Sequence, residues 1–235
     1  MNVVSIMAHQ DDEMRCLGTM LRCQARGDRL GFICLTDGSK GLVDRPHLDR
    51  PAAAEVRRKE MAALAQAVGA GYTCLAEPDE YLYDTPALRD SLIEAIRQAA
   101  ADVIFTHFDP DYNADHVATH HLLRHCAMQS VLPVIPTATA PLKNHPAIFC
   151  VEPHGAFAFT PTHFVDITGV IDRKIELLRL HESQEAAMQQ AVGWGFDQLV
   201  RVPDGYWGQK AGCRYAECFV PMQSRGAIKP FSVLP

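Results

Sequence analysis

Short apolar segments alternate along this chain with longer segments of helical periodicity. The apolar segments are predicted strands, which we place at residues 3–7, 30–35, 72–75, 103–106 and 147–151. The segments between them are predicted helices, at residues 13–26, 52–68, 86–100 and 115–129. Strands that are joined by helical crossovers run parallel in one sheet, and the helices cover its two faces. We therefore expect an α/β fold with a Rossmann-like, doubly wound and mostly parallel sheet.

The second half of the chain has a different composition. Residues 132–161 include six prolines, which interrupt any long helix. A further helix is predicted at residues 168–181, and a stretch rich in glycine, tryptophan and tyrosine follows at residues 193–208. We expect these segments to form loop-rich C-terminal elaborations of a single domain that covers residues 1–235.

Charge and composition exclude several classes of protein. The formal net charge is −6, from 22 basic and 28 acidic residues, whereas a nucleic-acid-binding protein usually has a clustered basic surface. No apolar run is long enough for a membrane span or a signal peptide. The eight cysteines form no Cys-x-x-Cys pair, so we expect reduced thiols in a cytoplasmic protein. A small-molecule partner is expected, and a homo-oligomer is compatible with this composition.

An imidazole and several carboxylates follow the first predicted strand, in the motif Ala8–Glu13. In an open parallel sheet, ligands bind at the carboxyl ends of the strands. His9 and Asp12 are three residues apart and can face one point if the next helix begins near Asp12. Imidazole nitrogen and carboxylate oxygen suit zinc, which in catalytic sites takes three protein ligands and keeps one position open. The alternative is that the acidic residues only cap the N-terminus of the helix.

A second polar cluster, residues 107–116, follows the fourth predicted strand. His116 would supply the third metal ligand, and Asp115 would orient its neighbours from behind the ligands. His120 lies one helical turn further on the same face and could bind the metal together with His116, but the position of His116 nearer to the sheet edge favours His116 alone. We therefore predict a zinc site of His9, Asp12 and His116, although other divalent transition metals use the same donor atoms.

These motifs resemble those of a known family, the LmbE-like or PIG-L-like N-acetylglucosaminyl deacetylases. The signature of the family, Ala-His-Pro-Asp-Asp-Glu after the first strand, is matched from Ala8 to Glu13 except that Gln10 replaces the proline. Its Asp-His pair is matched by Asp115-His116. Further matches, in the same order along most of the chain, are Thr36-Asp37-Gly38, Arg57 with Glu60, Val165-Asp166-Ile167-Thr168, His181-Glu182-Ser183-Gln184 and Tyr215–Phe219.

The resemblance implies a zinc-dependent N-deacetylase that hydrolyses the acetamide of an N-acetylglucosamine-type sugar to a free amine and acetate. It implies that His9, Asp12 and His116 bind zinc, and that Asp11 is the general base for the attacking water. Zinc lowers the pKa of bound water to about 7 and polarises the carbonyl, so the neighbouring base completes the chemistry that amide hydrolysis needs.

Two residues depart from the pattern of the family. Gln10 lacks the fixed φ of proline, so we expect a less rigidly preset turn. Asn113 stands where many members have the histidine that stabilises the oxyanion; its amide can donate a hydrogen bond but cannot carry a positive charge. We therefore keep Asn113 as a catalytic candidate, with His107 or His154 as substitutes. Two further substrate contacts that the resemblance implies are Arg57 and Glu217.

The sequence lacks the motifs of other enzyme classes. Serine hydrolases need Gly-x-Ser-x-Gly at a strand-to-helix turn, and Gly38–Gly41 does not have that spacing. No glycine-rich phosphate-binding loop is present in the sequence. Two alternatives to the deacetylase stay open. One is a non-catalytic metal-binding relative in which Gln10 and Asn113 have abolished turnover. The other is an amidase of the same chemistry that acts on a larger sugar–amide conjugate.

Overall fold

Five parallel strands form the centre of the computed structural model, which describes residues 1–155 and 157–223. They are β1 (Asn2–Met7), β2 (Arg29–Thr36), β3 (Gly71–Glu77), β4 (Val103–Thr106) and β5 (Ala147–Val151). The four helices that connect them are α1 (Leu17–Ala25), α2 (Arg50–Ala67), α3 (Pro86–Gln98) and α4 (Ala114–Gln129). The strand order β3-β2-β1-β4-β5 is that of a doubly wound sheet, as the sequence predicted.

The C-terminal part extends the sheet beyond β5. There β7 (Ala216–Pro221) pairs antiparallel with β5, and the edge strand β6 (His163–Asp166) pairs antiparallel with β7. Three helices precede β7: α5 (Ile171–Leu178), α6 (Glu182–Val192) and α7 (Phe196–Ala211). This elaboration is more regular than predicted, since β6, α6 and α7 were not assigned from the sequence. Helix α7 was not predicted because it contains Pro203, Gly205 and Gly208, and these residue types usually interrupt helices.

Apolar side chains fill the space on both faces of the sheet. On one face, the core contains Leu17 and Met61 from α1 and α2 with Leu178 and Phe196 from α5 and α7. On the other face, α3 and α4 contribute a second core. The two cores place the sheet in the middle of a three-layer arrangement, which buries its strands from both sides.

The reversal of strand order between β1 and β4 determines where a site can form. The two strands are neighbours in the sheet, but α1 leaves β1 toward one face and α4 follows β4 on the other. Their connections diverge and leave a crevice at the carboxyl ends of the strands, which is where ligands bind in such sheets. The loop after β1 and the loop after β4 therefore lie side by side.

The helices and the cysteines were also compared with the expectations from the sequence. Within residues 1–155 and 157–223, no helix combines the length and the hydropathy that crossing a membrane requires. All eight cysteines lie in this described part, and each is a free thiol.

Candidate metal centre

The two neighbouring loops bring His9, Asp12 and His116 together. The Nδ1 atom of His9 is 3.2 Å from Oδ2 of Asp12, and Nε2 of His116 is 3.3 Å from Oδ1 of Asp12. The two ring nitrogens are 3.3 Å apart. Two imidazole nitrogens and one carboxylate thus converge on a single point, and their ligand atoms all lie within 4.8 Å of one another. This donor set fits zinc or another divalent transition metal.

The second nitrogen of each histidine faces a carboxylate. The Nε2 atom of His9 is 3.1 Å from Oδ1 of Asp79 and 3.4 Å from Oδ2 of Asp115, while Nδ1 of His116 is 3.0 Å from Oδ1 of Asp111. Such carboxylates fix the orientation and the tautomer of metal-binding histidines. Asp79 was missed from the sequence, although its position just beyond β3, at the same sheet edge as the other loops, was an available signal.

The electrostatics of the cluster favour a bound cation. Burial opposes the ionisation of Asp12, but the surrounding His116, His107 and His9 hold its pKa well below the ordinary value. Burial also works against the charged form of His116, and Asp12 and Asp111 nevertheless raise its pKa to about 9. The carboxylates therefore attract positive charge, which protons on the imidazoles supply when no metal ion is bound. Metal binding displaces such protons.

Asp11 lies next to the ligand Asp12 in a constrained conformation. Its φ of 110° is in the left-handed region, which non-glycine residues rarely adopt. Its Oδ1 accepts a hydrogen bond of 2.8 Å from Nη2 of Arg57, which also donates to the carbonyl of Gln10. Burial raises the pKa of Asp11, and the charge of Arg57 opposes this shift. The alternative that these acids cap a helix is wrong, because Asp11 makes no capping hydrogen bond and α1 begins only at Leu17.

Two buried residues, Glu13 and His181, hold the backbone of Asp11 in place. The backbone N–H of Asp11 donates to Oε2 of Glu13 at 3.0 Å, and Oε1 of Glu13 is 2.7 Å from Nε2 of His181. His181 is fully buried and directly precedes α6, within the motif match His181-Glu182-Ser183-Gln184. The pair anchors the loop after β1 to a segment 168 residues further along the chain.

Gln10 compensates for the missing proline. Its side chain is completely buried, and its Nε2 donates to the carbonyl of Thr36 at 3.1 Å. A side chain at Gly38 would collide with it, since an added Cβ would overlap Oε1 of Gln10. The turn is therefore tied to the end of β2 by a side-chain contact, where the family pattern uses a fixed φ.

Three predicted substrate contacts occupy other positions. Arg57 is 2% exposed and contacts Asp11 rather than solvent. His107 is 3% exposed; its ring stacks on His116 at 3.8 Å, and its Nε2 accepts the N–H of Ala8. Glu217 is on β7 and is 2% exposed, in contact with Lys174 and with backbone N–H groups. The three side chains are buried against other residues of the chain, and their role as direct substrate contacts stays a prediction.

The remaining predicted residues surround the metal cluster. Asn113 caps α4, since its Oδ1 accepts from the backbone N–H of Asp115 at 2.7 Å and of His116 at 3.3 Å. Asp115 accepts the N–H groups of Glu80 and Leu82, which ties the loop after β3 to the centre. His120 is directed elsewhere: its Nδ1 lies 3.0 Å from the carbonyl of His107, and no candidate ligand group among the described residues includes it.

His154 lies beside the cluster, on the loop after β5. Its Nδ1 is 2.9 Å from Nη2 of Arg15. The ring of Tyr112 packs edge-on against His154, with centroids 6.4 Å apart, and against the ligand His116, at 5.5 Å. Of the residues predicted to assist the reaction, His154 therefore keeps a position from which it can act.

Fold and site together define a doubly wound α/β protein with a His/Asp/His centre at its topological switch point. Residues 4–127 match the PIG-L family, described as GlcNAc-PI de-N-acetylase, and the chain belongs to this family. The family predicted from the sequence motifs is thus confirmed.

Several known proteins are similar over nearly the whole chain. Diacetylchitobiose deacetylase of Thermococcus kodakarensis is 28% identical over 229 residues, which cover 93% of this chain and 83% of the relative. The solved N,N′-diacetylchitobiose deacetylase of Pyrococcus horikoshii, in complex with an inhibitor, superimposes with a TM-score of 0.80 at 25% identity, covering 94% of this chain and 83% of that one. The conserved protein TT1542 of Thermus thermophilus gives a TM-score of 0.78 at 27% identity and covers 100% and 96% of the two chains.

Proposed function

We propose that this chain is a metal-dependent N-deacetylase. Its substrate is an N-acetylglucosamine-type sugar moiety, in a glycoside or glycoconjugate, and its products are the free amine and acetate. The observation that carries the proposal is the convergence of His9, Asp12 and His116 beside the constrained carboxylate of Asp11. Membership of the PIG-L family and similarity to two diacetylchitobiose deacetylases support the amino-sugar substrate.

The donor set of the site suits zinc as the metal. Zinc at such a site lowers the pKa of coordinated water to about 7 and polarises the substrate carbonyl. His9, Asp12 and His116 hold the ion, and three carboxylates behind them keep the imidazoles in the tautomers that binding requires: Asp79, Asp111 and Asp115. Other divalent transition metals fit the same donors, so the identity of the metal is a matter for measurement.

Asp11 is the general base of the proposed reaction. Its carboxylate accepts the proton of the attacking water and returns it to the departing amine. Arg57 occupies one oxygen of this carboxylate and leaves the other for the proton. Burial, which raises the pKa of Asp11, makes the carboxylate a stronger base than an exposed one.

The first test is metal analysis combined with acetate release. The panel contains N-acetylglucosamine, N,N′-diacetylchitobiose and larger N-acyl amino-sugar conjugates, each assayed before chelation, after chelation and after zinc restoration. We expect about one metal ion per chain and chelator-sensitive acetate release. Bound metal without release from any substrate would favour the non-catalytic relative, and release only from large conjugates would favour the amidase. A chain that binds no metal would contradict the site itself.

Asp11→Asn separates binding from catalysis. The variant keeps the shape of the side chain but loses the base, so turnover should fall by about 10²–10⁴-fold while metal content stays unchanged. Asp90→Asn, at an exposed carboxylate on α3, is the matched control and should behave like the wild type. Undiminished turnover in Asp11→Asn would refute the role of Asp11.

A further inference from the structure

Arg15 and His154 form a hydrogen-bonded pair that has no role in the reaction proposed above. Arg15 ends the short 3-10 turn that begins at the ligand Asp12, and its Nη2 lies 2.9 Å from Nδ1 of His154. A guanidinium has no acceptor and stays protonated, so it donates and Nδ1 accepts. The proton of the neutral ring is therefore on Nε2.

The charge of Arg15 also keeps this ring neutral. The guanidinium, followed by burial, lowers the pKa of His154 to about 3. Nε2 has no hydrogen-bond partner among the described residues, and the side chain is only partly buried. The Nε2–H of His154 is therefore a hydrogen-bond donor that has no acceptor among the described residues.

This donor is close to the metal centre. Tyr112 packs edge-on against His154 on one side and against the ligand His116 on the other. His154 thus lies at the edge of the site, next to Tyr112, which also contacts the candidate ligand His116.

Amide hydrolysis needs such a donor, because negative charge develops on the carbonyl oxygen. A single preorganised donor at that oxygen is worth about 10²–10³ in turnover. Asn113 does not supply it, since its Oδ1 caps α4 and its Nδ2 lies 3.4 Å from Glu80. His107 does not supply it either, because its ring is 3% exposed, stacks on His116 and uses Nε2 to accept the N–H of Ala8.

We propose that His154 donates its Nε2–H hydrogen bond to the developing oxyanion, and that Arg15 is a positioning residue that fixes its tautomer. His154 keeps its proton throughout, so no proton transfer is involved. The inference rests on the proposed deacetylase function and names the group that replaces the missing histidine at position 113. His154 is then a catalytic residue, whereas Arg15 acts only through it.

The test compares His154→Gln with His154→Met in the full chain. The two side chains have nearly the same shape, but only glutamine has an N–H donor at its end. At equal zinc content, we expect His154→Met to lose about 100-fold in kcat with KM unchanged, and His154→Gln to keep most of the wild-type kcat. Equal losses in both variants, or no loss in either, would overturn the proposal, because shape alone would then explain the result.

Arg15→Met provides a second test that does not alter His154. It should lower kcat by about 10–100-fold, the range seen when a partner that orients a histidine is removed, and Arg15→Lys should recover part of the loss. Arg58→Met, at an exposed arginine on α2, is the control. An unchanged kcat in Arg15→Met overturns the positioning role even where a His154 variant does not fold. A wild-type protein that releases no acetate refutes the deacetylase, whereas an active wild type with unaffected variants refutes only this inference.

Discussion

Two buried clusters of charge in this molecule differ in how their charges are balanced. In one, the fully buried Lys174 lies 2.6 Å from Asp204 and 2.7 Å from Glu217. Glu217 also accepts the N–H groups of Gly18 and Thr19 at the start of α1. In this lysine cluster, the protein supplies both the fixed cation and the hydrogen-bond donors that face the two carboxylates.

The metal centre is not balanced in this way. Its ligand carboxylate, Asp12, has only imidazoles as ion-pair partners among the described residues, and the nearby fixed cation Arg57 contacts Asp11 instead. The imidazoles balance the carboxylates only when they carry protons. Burial of charge is therefore common to both clusters and does not identify a functional site. What distinguishes the candidate metal centre is that no fixed cation among the described residues pairs with Asp12, so the balancing charge comes from protons on the imidazoles or from a bound ion.

Removing a ligand should have the largest effect. His116→Ala takes away one of three donors, so metal content should fall to background and acetate release with it. His121→Ala is the matched control, because that histidine is on the same helix but 51% exposed. The measurement is metal content per chain after dialysis. A variant that still holds stoichiometric zinc would mean that the ligand set is different.

Removing the lysine should act on stability alone. Lys174→Met leaves two buried carboxylates without their cation, which costs about 3–5 kcal/mol in the free energy of unfolding. The pKa of Asp204 is raised to about 6 from 3.8, so its ionisation costs stability as the pH rises through that interval. Lys174→Met should therefore lower the free energy of unfolding less at acidic pH than at neutral pH.

Urea unfolding at two pH values measures this effect, with Lys59→Met as the control. Lys59 is 71% exposed, and its ion pair should contribute less than about 1 kcal/mol. Folded Lys174→Met should bind metal like the wild type. A selective loss of metal at unchanged stability would erase the distinction between the two clusters.

Asp79→Ala should weaken the metal centre without abolishing it. The carboxylate orients His9 but does not bind the ion, so metal affinity should fall by about 10–100-fold. Asp79→Asn keeps one oxygen acceptor, which can face either His9 or the N–H of Lys40 but not both, and it should lose less than the alanine variant. Competition with a chelator measures the affinity. If Asp79→Ala lost metal as completely as His116→Ala, Asp79 would be a ligand.

Asn113→His should have the smallest effect. It restores the residue that is common in the family but removes a good helix cap, so we expect a loss of about 1 kcal/mol in unfolding free energy. Bound zinc should stay stoichiometric, because the side chain of Asn113 contacts backbone N–H groups and not the ligand atoms. Metal content and urea unfolding test both statements. A large loss of zinc would show that Asn113 takes part in holding the metal.

The sequence predicted which candidate ligands come together, but it did not predict the residues that hold them in place. His9, Asp12 and His116 follow strands, and the rule that parallel strands end at one edge was enough to bring them together. Arg57 and Glu217 were motif matches too, yet they lie inside the protein, where one constrains Asp11 and the other satisfies Lys174. A motif shows which residue types occur at a spacing, and it contains no information on which way a side chain faces.

Local periodicity determined the α/β class, the five parallel strands and the edge where the site lies, because apolar patterns of period two and 3.6 act over a few residues. Only the tertiary structure decided which atoms meet. The contact of Glu13 with His181 spans 168 residues, and that of Arg15 with His154 spans 139. Such contacts depend on how the loops and helices pack against the sheet. Burial, which shifts the pKa of Asp11 and Asp204, is likewise a property of the packed molecule and not of any short segment.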